Sequence, residues 1–175
     1  MKKVKVVAVG DEHAGKTQLF MAMAGREFSE VYVPTVFENY DMTLTVNGKK
    51  FAIVLWDTAG NEEYDRLRPL SYPDTDVVLF CFSVDNHKSL ENIILKWHLE
   101  VKHFCPKASY LLIGTKKDVR QNSSDATFPE EGLLVARKIN AWSYIECSAS
   151  TREGVEEVAM KAALAASGKL KKQGV

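Results

Sequence analysis

The sequence predicts an α/β fold of about six strands in a mainly parallel sheet, with one antiparallel hairpin and helices on both faces. Three observations predict it. Apolar runs of strand length alternate with segments of helical spacing along the chain. Asn47-Gly48, the strongest short hairpin signal, stands between two strand-like segments. A glycine-bounded turn from Gly10 to Gly15 joins the first strand to the first helix. In sheets of this kind ligands bind beyond the carboxyl ends of the strands.

Residues 3–9 (KVKVVAV) read as the first strand. Lys16–Ala24 places Leu19, Phe20 and Met23 at helical spacing. Residues 25–38 lack a period and read as a loop. Residues 39–46 alternate, with Tyr40, Met42, Leu44 and Val46 on one face, and the run Phe51–Trp56 follows the Asn-Gly turn as their antiparallel partner. Asp57 to Pro73 is polar and poorly periodic. Val77–Val84 and Tyr110–Thr115 are continuous apolar runs, as expected of strands buried on both faces. Between them Leu90, Ile93, Ile94, Trp97 and Val101 give a helix over Ser89–Phe104. Pro129–Ile139 is a helix, Trp142–Cys147 the last strand, and Glu153–Ala166 the last helix, which Gly168 stops.

Composition bounds the function. The 175 residues suit one domain over 1–166, with 167–175 a short basic tail. Lys and Arg number 23 against 23 Asp and Glu, and the pI is near 6.9. That balance argues against retention on nucleic acid or anionic lipid by bulk charge. No apolar run approaches the roughly 18 residues of a membrane span, and the N-terminus does not read as a signal peptide. Cys81, Cys105 and Cys147 are widely spaced and read as buried reduced thiols in a reducing, cytoplasmic compartment. His13, His87, His98 and His103 show no metal-ligand spacing with them, so zinc is dropped.

Three motifs fall just after strands. Gly10–Thr17 (GDEHAGKT) fits G-x-x-x-x-G-K-[ST], a phosphate-binding P-loop. Its backbone wraps a phosphate, Lys16 neutralises charge, and Thr17 offers a hydroxyl to Mg²⁺. Asp57-Thr58-Ala59-Gly60 ends a strand about forty residues after Lys16. Asp57 can hold a Mg²⁺-bound water, and the Gly60 amide can meet a terminal phosphate. Thr115-Lys116-Lys117-Asp118 follows a third strand. One carboxylate can accept from both N1–H and the exocyclic amine of guanine, an edge adenine lacks, so Asp118 selects GTP over ATP. The Lys116 stem can lie along the base, and in Cys147-Ser148-Ala149-Ser150 the Ala149 amide can read guanine O6. Alone, D-x-x-G and T-K-x-D are ordinary turns; their order and placement make the set specific.

Together these residues resemble the Ras superfamily of small GTPases, a P-loop NTPase fold, and more closely its Rho family. Val33–Tyr40 (VPTVFENY) looks like the Rho effector loop, and Trp56–Pro73 (WDTAGNEEYDRLRPLSYP) is similar to the Rho and Rac pattern almost throughout. Thr-Lys-x-Asp is also the Rho form. The resemblance covers residues 3 to about 166. It implies GTP or GDP with Mg²⁺ as ligands. Phosphates would be bound by His13, Ala14, Gly15, Lys16, Thr17, Gln18 and Gly60, and the metal by Thr17, Thr35 and, through water, Asp57. Guanine would be bound by Phe28, Lys116, Asp118, Ser148, Ala149 and Ser150, with Tyr32 closing over the phosphates. Residues 26–39 would be switch I and 58–73 switch II, ordering around the γ-phosphate. Effectors acting on actin would bind through 32–40 and 60–73. Exchange factors and GDP-dissociation inhibitors would also bind, to a monomer.

Four departures qualify that expectation. Glycine normally stands at position 12, where this chain has Glu12, and glutamine at 61, where it has Asn61. In relatives the glutamine orients the attacking water and an activating arginine enters beside position 12. Two like charges about 4 Å apart at an effective dielectric near 20 repel by roughly 4 kcal/mol. Glu12 is therefore expected either to swing toward solvent or to weaken binding of the third phosphate, with His13 or Lys16 offsetting its charge. Asn61 sets its amide roughly 1.5 Å back, and about 1 Å of misplacement can cost on the order of 10²-fold. Slow hydrolysis follows, with Asn61 and Thr35 as the catalytic positions and Glu12 perturbing them; the behaviour would be Rnd-like. The alternative is an ordinary cycling GTPase whose Glu12 points outward. Third, only Val119–Phe128 stands where Rho proteins carry a helical insert, and it reads as a plain polar loop. Fourth, the chain ends KLKKQGV without a prenylation cysteine. Either a lipidated tail lies outside this sequence, placing the protein at the inner face of the plasma membrane, or the protein is not lipidated. An ATP-using P-loop enzyme is disfavoured by Asp118.

Overall fold

The computed structural model describes residues 1–168. Six strands form one sheet in the order β2-β3-β1-β4-β5-β6. They are β1 (Lys2–Val9), β2 (Phe37–Val46), β3 (Lys49–Thr58), β4 (Val77–Ser83), β5 (Ser109–Thr115) and β6 (Ser143–Glu146). β2 and β3 pair antiparallel, and every other neighbouring pair is parallel. The hairpin turn works because Asn47 and Gly48 both adopt positive φ, at 51° and 78°. A tight two-residue turn between twisted strands needs that handedness.

Alternation in β1 and β4 sends residues to two separate cores. Val4, Val6, Ala8, Leu79 and Cys81 pack with Leu19 and Phe20 of α1 (Lys16–Met23) and with Val155, Val158 and Ala162 of α5 (Val155–Ala166). Val7, Val9, Val78, Phe80 and Phe82 pack with Ile93 and Trp97 and with Val135 and Ala136 of α4 (Pro129–Lys138). Helices thus cover both faces. Val77–Ser83 is buried at every position, as its unbroken apolar run requires. In β2, Tyr40 and Val46 are buried, and Met42 and Leu44 pack on the same core. All three cysteines are buried, and burial raises each thiol, Cys105 to about 11 and Cys147 to about 12. α5 ends at Ala166 and Gly168 follows in the left-handed conformation, at φ 70°. Lys169–Val175, most of the expected basic tail, lies outside the described residues.

Two local expectations are corrected, and a third stretch gains detail. The helix expected over Ser89–Phe104 begins earlier, as α2 (His87–Asn92), and reaches α3 (His98–Phe104) through a π-helical turn, Ile93–Trp97. Asn86 starts it by accepting from the Ser89 N–H at 3.3 Å. Within the polar stretch 57–73, 3₁₀ turns form at Glu62–Tyr64 and Arg68–Ser71. The segment in place of an insert is not a plain loop. Lys117–Asn122 is a 3₁₀ turn, and Arg120 holds Glu146 through both terminal guanidinium nitrogens while its Nε donates to the Thr127 carbonyl at 2.9 Å.

Candidate functional site

The loops after β1, β3, β5 and β6 meet at one end of the sheet and surround a cavity of about 850 Å³. Glu12, His13, Ala14, Gly15, Lys16, Thr17 and Gln18 line one end and Lys116, Asp118, Ala149 and Ser150 the other, with Phe28, Tyr32, Thr35, Gly60 and Asn61 along the side. Ser148 is fully buried behind that wall.

The loop Gly10–Gly15 is shaped by contacts only glycine permits. A Cβ on Gly10 would lie 2.1 Å from the Cys81 carbonyl oxygen, and one on Gly60 would lie 2.4 Å from the Glu12 nitrogen. Gly15, at φ 85°, starts α1 with no side-chain cap. That leaves an N-terminus whose amides and dipole suit an anion. Lys16 is buried, its Nζ donating to the Gly10 and Asp11 carbonyls at 2.8 and 2.7 Å. Burial lowers its pKa, and the nearby Asp57 carboxylate opposes the shift. A buried ammonium whose hydrogen bonds go to carbonyls is a strong electrostatic match for phosphate.

Beside it three hard oxygen donors converge. Thr17 Oγ1 lies 2.7 Å from Thr35 Oγ1 and donates to Asp57 Oδ2, which also accepts from Thr35 at 3.3 Å. Asp57 Oδ1 is buried and has no hydrogen-bond partner among the described residues. Burial raises the Asp57 pKa, with the Thr17 hydrogen bond and Lys16 acting against it. An orphaned buried carboxylate oxygen beside two hydroxyls fits a hydrated Mg²⁺ ion.

At the far end Asp118 accepts from Ser148 Oγ at 2.8 Å and Ser150 Oγ at 3.0 Å. The carboxylate is oriented by two hydroxyls and its edge lines the cavity. Lys116, at φ 59°, turns its chain back so that Nζ reaches the His13 carbonyl at 2.8 Å. Thr115 Oγ1 donates to the Ala14 carbonyl at 2.5 Å. The two motif loops are therefore tied to each other directly, a role the sequence reading did not assign to Thr115. Phe28 and Tyr32 line the cavity and are about half exposed, at 45% and 46%.

Glu12 and Asn61 are in contact with each other. Glu12 is exposed, but it is engaged: Oε1 accepts from the Tyr32 hydroxyl at 2.6 Å and Oε2 from Asn61 Nδ2 at 3.5 Å. Tyr32 also lies on the His13 ring, with centroids 3.9 Å apart. Partial desolvation and then the Glu12 hydrogen bond push the Tyr32 phenol up to about 12. Lys16 does not neutralise Glu12, since its ammonium is turned to Gly10 and Asp11. Asn61 Oδ1 accepts from the Glu63 N–H at 2.9 Å, so both ends of the amide are occupied.

Arg68 was not singled out by sequence and is the fully buried cation of this region. It donates to the Ala59 carbonyl at 2.7 Å, the Asn61 carbonyl at 3.2 Å, and to Glu100 and Asp65 at 2.8 Å each. Its guanidinium shapes 59–61 from below. Removing the guanidinium strands the buried Ala59 carbonyl and leaves Glu100 with the Tyr72 hydroxyl and Asp65 with Lys96. Arg68→Ala is expected to cost about 3–5 kcal/mol in urea unfolding; a loss under about 1 kcal/mol would contradict the role.

A cavity with a phosphate loop, a Mg²⁺ donor set and a guanine-suited carboxylate at its far end defines a nucleotide-binding P-loop protein with the small G protein fold. The Ras family model matches residues 5–167. The chain belongs to the Ras family, and is therefore a small GTPase of the class that binds GTP and GDP with Mg²⁺ and acts as a switch toward effectors and regulators.

Proposed function

We propose that the protein is a Rho-type GTP-binding switch that recruits effectors in its GTP state and hydrolyses GTP slowly, with Rnd-like behaviour. The observation that carries the slow step is the Asn61 amide, occupied at one end by Glu63 and at the other by Glu12. An amide so engaged does not orient an attacking water, and it is one methylene shorter than the glutamine of relatives.

His13–Gln18 and Gly60 hold the phosphates, and Lys16 carries the countercharge. Thr17, Thr35 and, through water, Asp57 hold Mg²⁺, which supplies charge stabilisation between the phosphates. Asp118, Lys116, Phe28 and Ser148–Ser150 hold guanine. Effectors acting on actin meet residues 32–40 and 60–73, where Val33, Val36, Phe37, Leu67 and Leu70 are exposed. Exchange factors and GDP-dissociation inhibitors read the same switches. The protein is a cytoplasmic monomer, joined to the inner face of the plasma membrane where a lipidated tail is present. An ordinary cycling GTPase is the second reading, favoured by the exposure of Glu12 and the 3.5 Å length of its Asn61 bond. Single-turnover loss of bound GTP decides between them. A rate well below that of cycling Rho proteins is expected; an equal rate rejects the slow form.

A further inference from the structure

The helix beside switch II carries a π-helical turn, and its consequence lies in the phosphate loop. Asp11 occupies a free position of the loop motif, yet its carboxylate is fully engaged from a distant element. Oδ1 accepts from the Trp97 indole N–H at 2.8 Å and Oδ2 from Asn92 Nδ2 at 2.7 Å. Asn92 and Trp97 are five residues apart. In a regular α-helix residues five apart point about 140° away from each other. The i→i+5 winding of Ile93–Trp97 brings them onto one side, so both reach one carboxylate.

Trp97 is completely buried, and its ring has a second neighbour. The Arg68 guanidinium lies over it with its carbon 4.5 Å from the ring centroid. Arg68 in turn holds the carbonyls of Ala59 and Asn61. One side chain therefore touches the acid of the phosphate loop and the cation that shapes the start of switch II.

We propose that Asn92 and Trp97, presented together by the π-helical turn, are positioning residues for nucleotide retention, acting through Asp11, and that Trp97 couples the phosphate loop to switch II through Arg68. This rests on the reading that Gly10–Thr17 holds the phosphates. The carboxylate fixes the loop ahead of Lys16, whose ammonium is bonded to the carbonyls of Gly10 and Asp11. Freeing Asp11 loosens the backbone that meets the anion.

The test is the release rate of fluorescently labelled GDP from the full chain at saturating Mg²⁺, for the wild type, Asn92→Ala, Trp97→Phe, Asp11→Ala and the pairs with Asp11→Ala. Losing one hydrogen bond to a charged acceptor is worth on the order of tenfold. Asn92→Ala and Trp97→Phe are each expected to speed release about tenfold, and neither adds to Asp11→Ala, because both act through it. Asn92 is only partly buried, so its variant keeps the test decisive if Trp97→Phe fails to fold. Release within twofold of wild type, lowered thermal stability with unchanged release, or effects that add to Asp11→Ala would each overturn the proposal. A wild-type chain that retains no labelled GDP would instead remove the nucleotide reading itself, and this inference with it.

Discussion

Glu12→Gly combined with Asn61→Gln is expected to raise the single-turnover rate of GTP loss by about 10²-fold. The double change addresses both features on which the proposed slow hydrolysis rests. Glycine removes the carboxylate that accepts from Tyr32 and Asn61. Glutamine restores the methylene that carries an amide toward the attacking water. The changes should not be additive, because position 12 decides where an amide at position 61 points. With Glu12 retained, a glutamine keeps a carboxylate partner; with Asn61 retained, the amide is still short and still caps the turn at Glu63. Each single variant should therefore recover only a small part of the rate. An activating arginine, which gives about 10³–10⁵ in Ras-type relatives, should act on the double variant and little on the wild type. A double variant within threefold of the wild-type rate would show that hydrolysis is set elsewhere.

Asp118→Ala is expected to lower guanine nucleotide affinity by about 10³-fold while leaving the fold intact. Two hydrogen bonds to a charged acceptor contribute about 1.5–3 kcal/mol each. The carboxylate is held by Ser148 and Ser150, so it is pre-oriented. Discrimination should fall with affinity, because Asp118 is the carboxylate assigned to the guanine edge. Calorimetry with GDP and with inosine diphosphate, which lacks the exocyclic amine, checks this. The wild type should prefer GDP clearly and the variant should not. Equal preference in both would assign base selection to another group.

What was legible in the sequence was whatever local chemistry determines. The hairpin followed from Asn47-Gly48 because its two positive φ angles are a property of those residues. The loops after β1, β3 and β5 were readable because three short motifs, two of them ordinary turns alone, stand in one order, each at a strand end. Buried strands such as Val77–Ser83 announced themselves as unbroken apolar runs. Less legible was everything that depends on a partner distant in the chain. The π-helical turn leaves the apolar positions of Ser89–Phe104 nearly helical, so periodicity alone reads through it. Arg68 sits in a polar stretch and looks like a solvated charge; Glu100, Asp65, two carbonyls and the Trp97 ring close around it. Glu12 posed the question of where its charge goes, and the answer lies in Tyr32 and Asn61, twenty and forty-nine residues further along. The Asp11 contact to Trp97 spans 86 residues and left no signal beyond a carboxylate in a variable motif position.

The grip of Gly10–Thr17 and Asp118 on opposite ends of one purine nucleotide is tested most directly by titrating the nucleotide-free chain in a calorimeter, with and without Mg²⁺ and with excess ATP as competitor. Tight GDP and GTP binding that weakens when Mg²⁺ is chelated and is untouched by ATP is the predicted result. Binding indifferent to Mg²⁺, or displaced by ATP, would contradict it.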